Sequence, residues 1–231
     1  PEADKYLKEF GIDYVITDTH GILYADPTPI YGTYAPIVSP TGVVAFARDI
    51  ESSRQVWSSI NGYPGDYNYR EFYRDIGYDC DYDYIKPYIA HNGVRVNTGI
   101  KYYRITGKDC PKDYYDPQWA KDTAEMQAGH FFDSRTKQIE TLSQNMHIPP
   151  LILCPYDAEL YGHWWYEGPY WLYILFKKRP IFLFMTTFSS QNRTDLASEL
   201  VKARTTRINE LISKTTVSVD KKTSTIINKP V

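Results

Sequence analysis

Leu151 to Trp171 reads LILCPYDAELYGHWWYEGPYW. It opens with the apolar run Leu151-Ile152-Leu153-Cys154, the length of a short buried strand. Close behind come Asp157, Glu159, His163, Trp164 and Trp165. No other stretch places as many ionisable and stacking side chains together. A short apolar strand flanked by helical pattern suits a parallel sheet, whose strands are buried on both faces. In α/β barrels the side chains just past such a strand face the active site. The stretch therefore predicts an α/β fold with a site at the carboxyl end of the strand over 151–154.

Toward the N-terminus, Asp116 to His147 is the longest regular segment. Ala124, Ala128, Phe131, Phe132, Ile139, Leu142 and Met146 recur at three- and four-residue spacing. Asp116-Pro117 supplies a cap and a first helical position, and Pro149-Pro150 closes the segment. Glu2 to Phe10 reads as a helix stopped by Gly11. Tyr14 to Thr17 reads as a strand leading to Asp18, Thr19 and His20. Gly42 to Asp49 reads as a second strand, and Ile50 to Ser59 as a helix carrying Trp57. Gly21 to Pro40, with four prolines, reads as loop. Asn61 to Asp66 is a turn cluster, Tyr69 to Ile76 is expected to be helical, and Val94 to Ile105 alternates like a strand. Asp79 to Asp83 resembles half a calcium loop, but without its glycine and bidentate glutamate it reads as a solvated acidic loop. From Lys177 the character changes. An apolar run at Ile181 to Met185, a charged helical pattern at Asp195 to Ser213 and a Thr/Ser/Lys-rich end predict a divergent, poorly ordered tail over 177–231.

Hydrophobic residues make up 42% and charged residues 23%, the balance of a globular protein. A net charge of -2 points to neither a nucleic-acid nor an anionic-membrane partner. The 22 tyrosines are expected to be mostly half-buried, although such rings also stack on sugar faces. Cys80, Cys110 and Cys154 are odd in number and widely spaced, so neither a disulfide framework nor a zinc site is expected, which fits a cytoplasmic location. The amino end lacks an apolar signal core. The run from Tyr170 to Phe176 is too short to span a bilayer.

Asp157 and Glu159 resemble a catalytic pair at first sight. A retaining glycosidase needs two carboxyls about 5–5.5 Å apart on opposite sides of the anomeric carbon. In an extended chain, residues i and i+2 point the same way and lie roughly 6.5–7 Å apart. One of the two is therefore expected to act as catalyst and the other to orient it or bind sugar. A surface or capping role is the alternative for either. His163 is placed to bond a hydroxyl, or is a satisfied structural histidine. Of Trp164 and Trp165, one is expected to pack and one to line the cleft. Trp57 and His20 lie near strand ends and are weaker candidates, and His130 on the long helix reads as structural. No phosphate-binding loop, GxSxG elbow or HExxH is present.

YDAELYGHWWYEGP at Tyr156 to Pro169 resembles the fourth motif of glycoside hydrolase family 57, in its α-glucan branching enzyme subgroup. ITDTHGIL (16–23), VVAFARDIESSRQVWS (43–58), GYPGDYNYREFYRDIGYD (62–79) and VNTGIKYYRITG (96–107) resemble the same subgroup. The resemblance runs from Pro1 to Leu175. It implies that 1–176 is the C-terminal part of a (β/α)7 barrel, an incomplete TIM-type barrel missing its N-terminal strands. It implies a cofactor-free, metal-free retaining reaction: an α-1,4 glucan chain is cleaved and transferred to a 6-hydroxyl to make an α-1,6 branch, as in glycogen or starch metabolism. Asp157 corresponds to the general acid/base. His163, Trp57, Trp164 and Trp165 fall near the cleft that binds α-glucan polysaccharide. An α-amylase, a 4-α-glucanotransferase and a non-catalytic glucan-binding remnant are the alternatives.

The family's nucleophile is a glutamate in an earlier W-L-P-E-C-like motif. The register of EADKYLKEFGI places Pro1 after that motif, so Glu2 is not assigned to the role. The 231 residues are thus expected to supply one of two carboxylates and to show little or no activity alone.

Overall fold

The computed structural model describes residues 2–58, 60–89, 92–107 and 109–178. The expected tail, apart from Lys177 and Lys178, which belong to the last described helix, lies with the patterns within it outside the described residues.

The first helix, α1 (Ala3–Glu9), ends where Gly11 takes φ +71°, and it buries none of its side chains. Strand β1 (Tyr14–Thr17) follows with the bounds its β-formers suggest. Asp18 accepts the N–H of Thr19 and starts α2 (Thr19–Leu23). The region read as loop from Gly21 to Pro40 is thus partly ordered. It also carries a 3-10 turn over Gly32–Tyr34 and a two-residue strand, β2 (Ile37–Val38). The reason is local: Ser39 and Val43 close a hairpin by an N–H···O=C bond of 2.8 Å, with Gly42 at φ +87° in its turn. This hairpin lays β2 antiparallel on β3 (Val44–Ala47).

Strand β3 is central. It pairs in parallel with β1, Tyr14 opposite Val44 through Thr17 opposite Ala47. Successive N–H groups of an extended chain point to opposite edges, and β3 uses both beyond its end. Arg48 N–H bonds Thr17 O at 3.1 Å, and Asp49 N–H bonds Leu153 O at 2.9 Å. The segment at Leu153 therefore lies parallel on the other edge, through a single bridge to Arg48. The strand expected over 151–154 is reduced to that bridge, and Leu151 is 38% exposed. The α/β alternation holds: each parallel segment is followed at its carboxyl end by a helix or a short helical turn.

Asp49 caps α3 (Ile50–Trp57) by accepting Ser52 N–H at 2.7 Å. A 3-10 turn over Tyr63–Gly65 follows. The helix expected over 69–76 does not form. Tyr69 to Asp75 is irregular, bending at Tyr69, Phe72 and Tyr73, Arg70 bridges Arg104, and only α4 (Ile76–Asp79) is helical, because Asp75 takes the N–H of Gly77 as a cap. A short α5 (Tyr82–Ile85), capped by Asp81, continues from it. Asp79 to Asp83 is thus solvated only in part: Asp81 and Asp83 are exposed, but the Asp79 side chain is 7% exposed and paired with Arg74 and Lys112. The strand expected over Val94 to Ile105 is reduced to single antiparallel bridges at Tyr103, to Tyr114, and Arg104, to Arg70. Its backbone wraps Asp75, whose carboxylate accepts from Thr98 N, Thr98 Oγ1 and Gly99 N.

Helix α6 (Pro117–Asn145) has Asp116 as cap, accepting from Gln118 and Trp119 N–H, and Pro117 at its first position. Its 29 residues make it about 43 Å long. Ala120, Ala124 and Ala128 form a row of small side chains at four-residue spacing. This row lets α7 (Gly168–Lys178) approach with the fully buried Trp171. Val56, Tyr63, Tyr69, Phe131, Leu160 and Trp165 complete this core. His130 is structural, with Nδ1 2.8 Å from the Tyr63 hydroxyl. More than half of the tyrosines, Tyr24, Tyr73 and Tyr88 among them, are exposed rather than half-buried. Tyr24, Tyr73 and Tyr88 lie in short helical turns and connecting segments rather than in the sheet or the long helix. No described helix is long and apolar enough to cross a membrane.

Candidate functional site

The carboxyl ends of β1, β3 and the Leu153 segment lie on one side of the sheet, because all three run parallel. Four residues past Leu153, Asp157 occupies the N-cap position of a 3-10 turn over Ala158–Leu160. The surrounding caps differ from it. Asp18, Asp49, Asp75, Asp81 and Asp116 each spend a carboxylate on backbone N–H groups at a helix start. The Asp157 carboxylate makes no such bond and is exposed. A capping role is thereby removed as an account of this residue.

Asp157 lines a cleft of about 430 Å³ together with Glu159, Trp57, Trp164, Arg70 and Phe72. Glu159 follows Asp157 through a 3-10 turn, not the extended chain assumed for an i, i+2 pair, and both still line the cleft. Trp57 is 44% exposed and rests on the Arg48 guanidinium, 4.6 Å from its ring centroid. The two adjacent tryptophans divide. Trp165 is 1% exposed, packing on Tyr69 and Trp171, while Trp164 is 46% exposed. His163 meets the cleft only through ring contacts with Phe72 and Trp164, at 5.3 and 5.0 Å. His20 is exposed on α2, Nδ1 3.5 Å from Asp18, and does not line the cleft.

One wall of the cleft is the segment Arg70-Glu71-Phe72-Tyr73, which the sequence reading did not single out. The residues after Asp157 hold it position by position. Trp164 lies on Phe72 with ring centroids 4.5 Å apart, and Trp165 on Tyr69 at 5.5 Å. Tyr166 lies under the Arg70 guanidinium at 3.7 Å. Glu167 accepts the backbone N–H of Arg70 at 3.2 Å. From the opposite side, Lys101 Nζ donates to the carbonyls of Phe72 and Arg74. Burial pushes the Glu167 carboxyl above the usual carboxylate range, with Tyr115 and the Arg70 N–H opposing that rise. Burial likewise raises the Cys154 thiol. Two charges followed by two rings in R-E-F-Y, shortly after a turn cluster, are the signal that marks this wall.

A comparison with known protein families finds no match. Individual relatives are clear. The chain is 32% identical over 180 residues to the 1,4-alpha-glucan branching enzyme TK1436 of Thermococcus kodakarensis, a match covering 73% of this chain. It is 34% identical over 180 residues to a probable 1,4-alpha-glucan branching enzyme of Mycobacterium tuberculosis, covering 76% of it. Among solved structures, the alpha-amylase AmyC of Thermotoga maritima is 49% identical with a TM-score of 0.69, over 76% of this chain and 34% of that one. The family 57 branching enzyme of Thermococcus kodakaraensis is 32% identical with a TM-score of 0.57, over 74% of this chain and 30% of that one. Over about three-quarters of its residues the chain is similar to enzymes of glycoside hydrolase family 57. It spans 24% and 30% of the length of the two curated relatives.

Proposed function

We propose that this chain carries the acid/base half of a retaining α-glucan site, on part of a (β/α)7 barrel, and that the complete enzyme is a glucan branching enzyme. The observation that carries the reading is the unspent Asp157 carboxylate, set among exposed rings at the carboxyl side of parallel strands. Asp157 donates its proton to the glycosidic oxygen as the α-1,4 bond breaks. A glutamate that these 231 residues do not supply takes the glycosyl group as a covalent ester. Asp157 then recovers a proton from the incoming 6-hydroxyl, which attacks the ester to form the α-1,6 linkage. Trp57 and Trp164 stack on sugar faces along the cleft. The 49% identity to an alpha-amylase supports a second reading, in which water takes the place of the 6-hydroxyl.

Amylose incubated with the 231-residue chain is expected to gain few or no α-1,6 linkages, and robust branching would refute the half-site assignment. Joined to a segment bearing the W-L-P-E-C-type motif, the chain is expected to gain activity that Asp157→Asn abolishes. Near-normal turnover by that variant would refute the acid/base role. Branches in the product support the first reading, and new reducing ends without branches the second.

A further inference from the structure

Arg70 is the one cation among the residues lining the cleft, where Glu71, Asp157 and Glu159 supply three carboxylates. It pairs with none of them. Among the described residues its guanidinium makes no hydrogen bond or ion pair within contact distance; it lies over Tyr166 at 3.7 Å, and its charge favours the ionised form of the nearby buried Glu167. A guanidinium covered on one face keeps its in-plane N–H donors, a planar fork matched to two adjacent oxygens. The excess of carboxylates opposes an anionic ligand such as a sugar phosphate. A neutral polyol offers the same fork two hydroxyl oxygens without that repulsion. The neighbouring Trp164 and Phe72 rings supply a surface for the apolar face of a pyranose.

We propose that Arg70 is the hydroxyl-binding and charge-discriminating residue of the cleft. It grips adjacent hydroxyls of a glucose unit stacked on Trp164 and Phe72, with Glu167 and Tyr166 as positioning residues. This rests on the glucan reading above. Glu167 is 5% exposed and fixes Arg70 through its backbone N–H, so its role is carried by the wall and not by contact with sugar.

The test is calorimetric titration of the whole 231-residue chain with maltohexaose and, separately, with glucose 1-phosphate. Maltohexaose is expected to bind and glucose 1-phosphate not to bind. Arg70→Met keeps a stem on Tyr166 but removes the donors, and it is expected to weaken maltohexaose binding about tenfold or more. Trp164→Ala is expected to weaken it as well. Glu167→Ala is expected to lose affinity, and Glu167→Gln, which restores an oxygen for the Arg70 N–H, to recover most of it. Wild-type affinity in Arg70→Met beside a loss in Trp164→Ala would refute the role of Arg70 while leaving the glucan site standing. No binding by the wild-type chain would refute both. Should Arg70→Met fail to fold, Arg70→Lys decides: it keeps the charge without the fork, and unchanged affinity would refute the proposal. Tight binding of glucose 1-phosphate would refute the charge discrimination.

Discussion

Arg135, about two-thirds of the way along α6, reaches the residues just past β3 and places Nη1 3.5 Å from Asp49 Oδ2, with both side chains at most 10% exposed. Its Nη2 also holds Glu51 at 2.6 Å. Gln138, one turn on, donates to the other Asp49 oxygen at 2.9 Å. The long helix is thus fastened to the strand by charge as well as by packing. Arg135→Met is expected to destabilise the protein by about 3 kcal/mol, the low end for removing one member of a buried ion pair. The low end applies because Ser52 N–H and Gln138 still serve Asp49. Urea unfolding measures it, and an unchanged midpoint would refute the pairing.

The adjacent tryptophans and their helical neighbour give a contrast between folding and site. Trp171 is fully buried, so Trp171→Ala is expected to cost about 3–5 kcal/mol. Trp164, 46% exposed, is expected to cost less than about 1 kcal/mol on the same change. Thermal unfolding of the two variants side by side checks this, and equal losses would contradict the division of roles.

Asp75 makes acid stability legible. It is 2% exposed, and burial alone would push its carboxyl up. The N–H groups of Thr98, Gly77 and Gly99 and the Thr98 hydroxyl outweigh burial and hold it below the ordinary 3.8. A carboxyl harder to protonate in the folded state contributes stability above its unfolded pKa, and loses it as pH falls through the folded one. Unfolding free energy is therefore expected to decline as pH drops below about 4. Asp75→Asn should flatten that decline and lower stability at neutral pH by about 1–3 kcal/mol, because it turns an NH2 group toward N–H donors. A decline of the same slope in the variant would show that another carboxylate is responsible.

The elements legible in the sequence are those whose signals are local. Asp116-Pro117 starts α6 where expected, Gly11 stops α1, and β1 falls on its β-formers. Val94 to Ile105 alternates like a strand but finds partners only at Tyr103 and Arg104, each through a single bridge. Asp75, about twenty residues upstream, takes its N–H groups, and Arg95 donates to the carbonyls of Gly77 and Cys80. That competition is long-range and leaves no periodic trace. The cleft was legible at Asp157, Trp57 and Trp164. It was not legible at Arg70 and Phe72, because what makes them a wall is contact with residues almost a hundred positions later.

The idle carboxylate at Asp157 has a consequence for descent. Losing Asp49 or Asp116 removes a cap and threatens the fold, so any lineage that keeps the folded protein in use should keep those positions, with or without the cleavage chemistry. Position 157 has no such guard. Lineages that still need the chemistry should keep aspartate there, and lineages that have stopped using it should let it drift first, while the caps around it stay fixed.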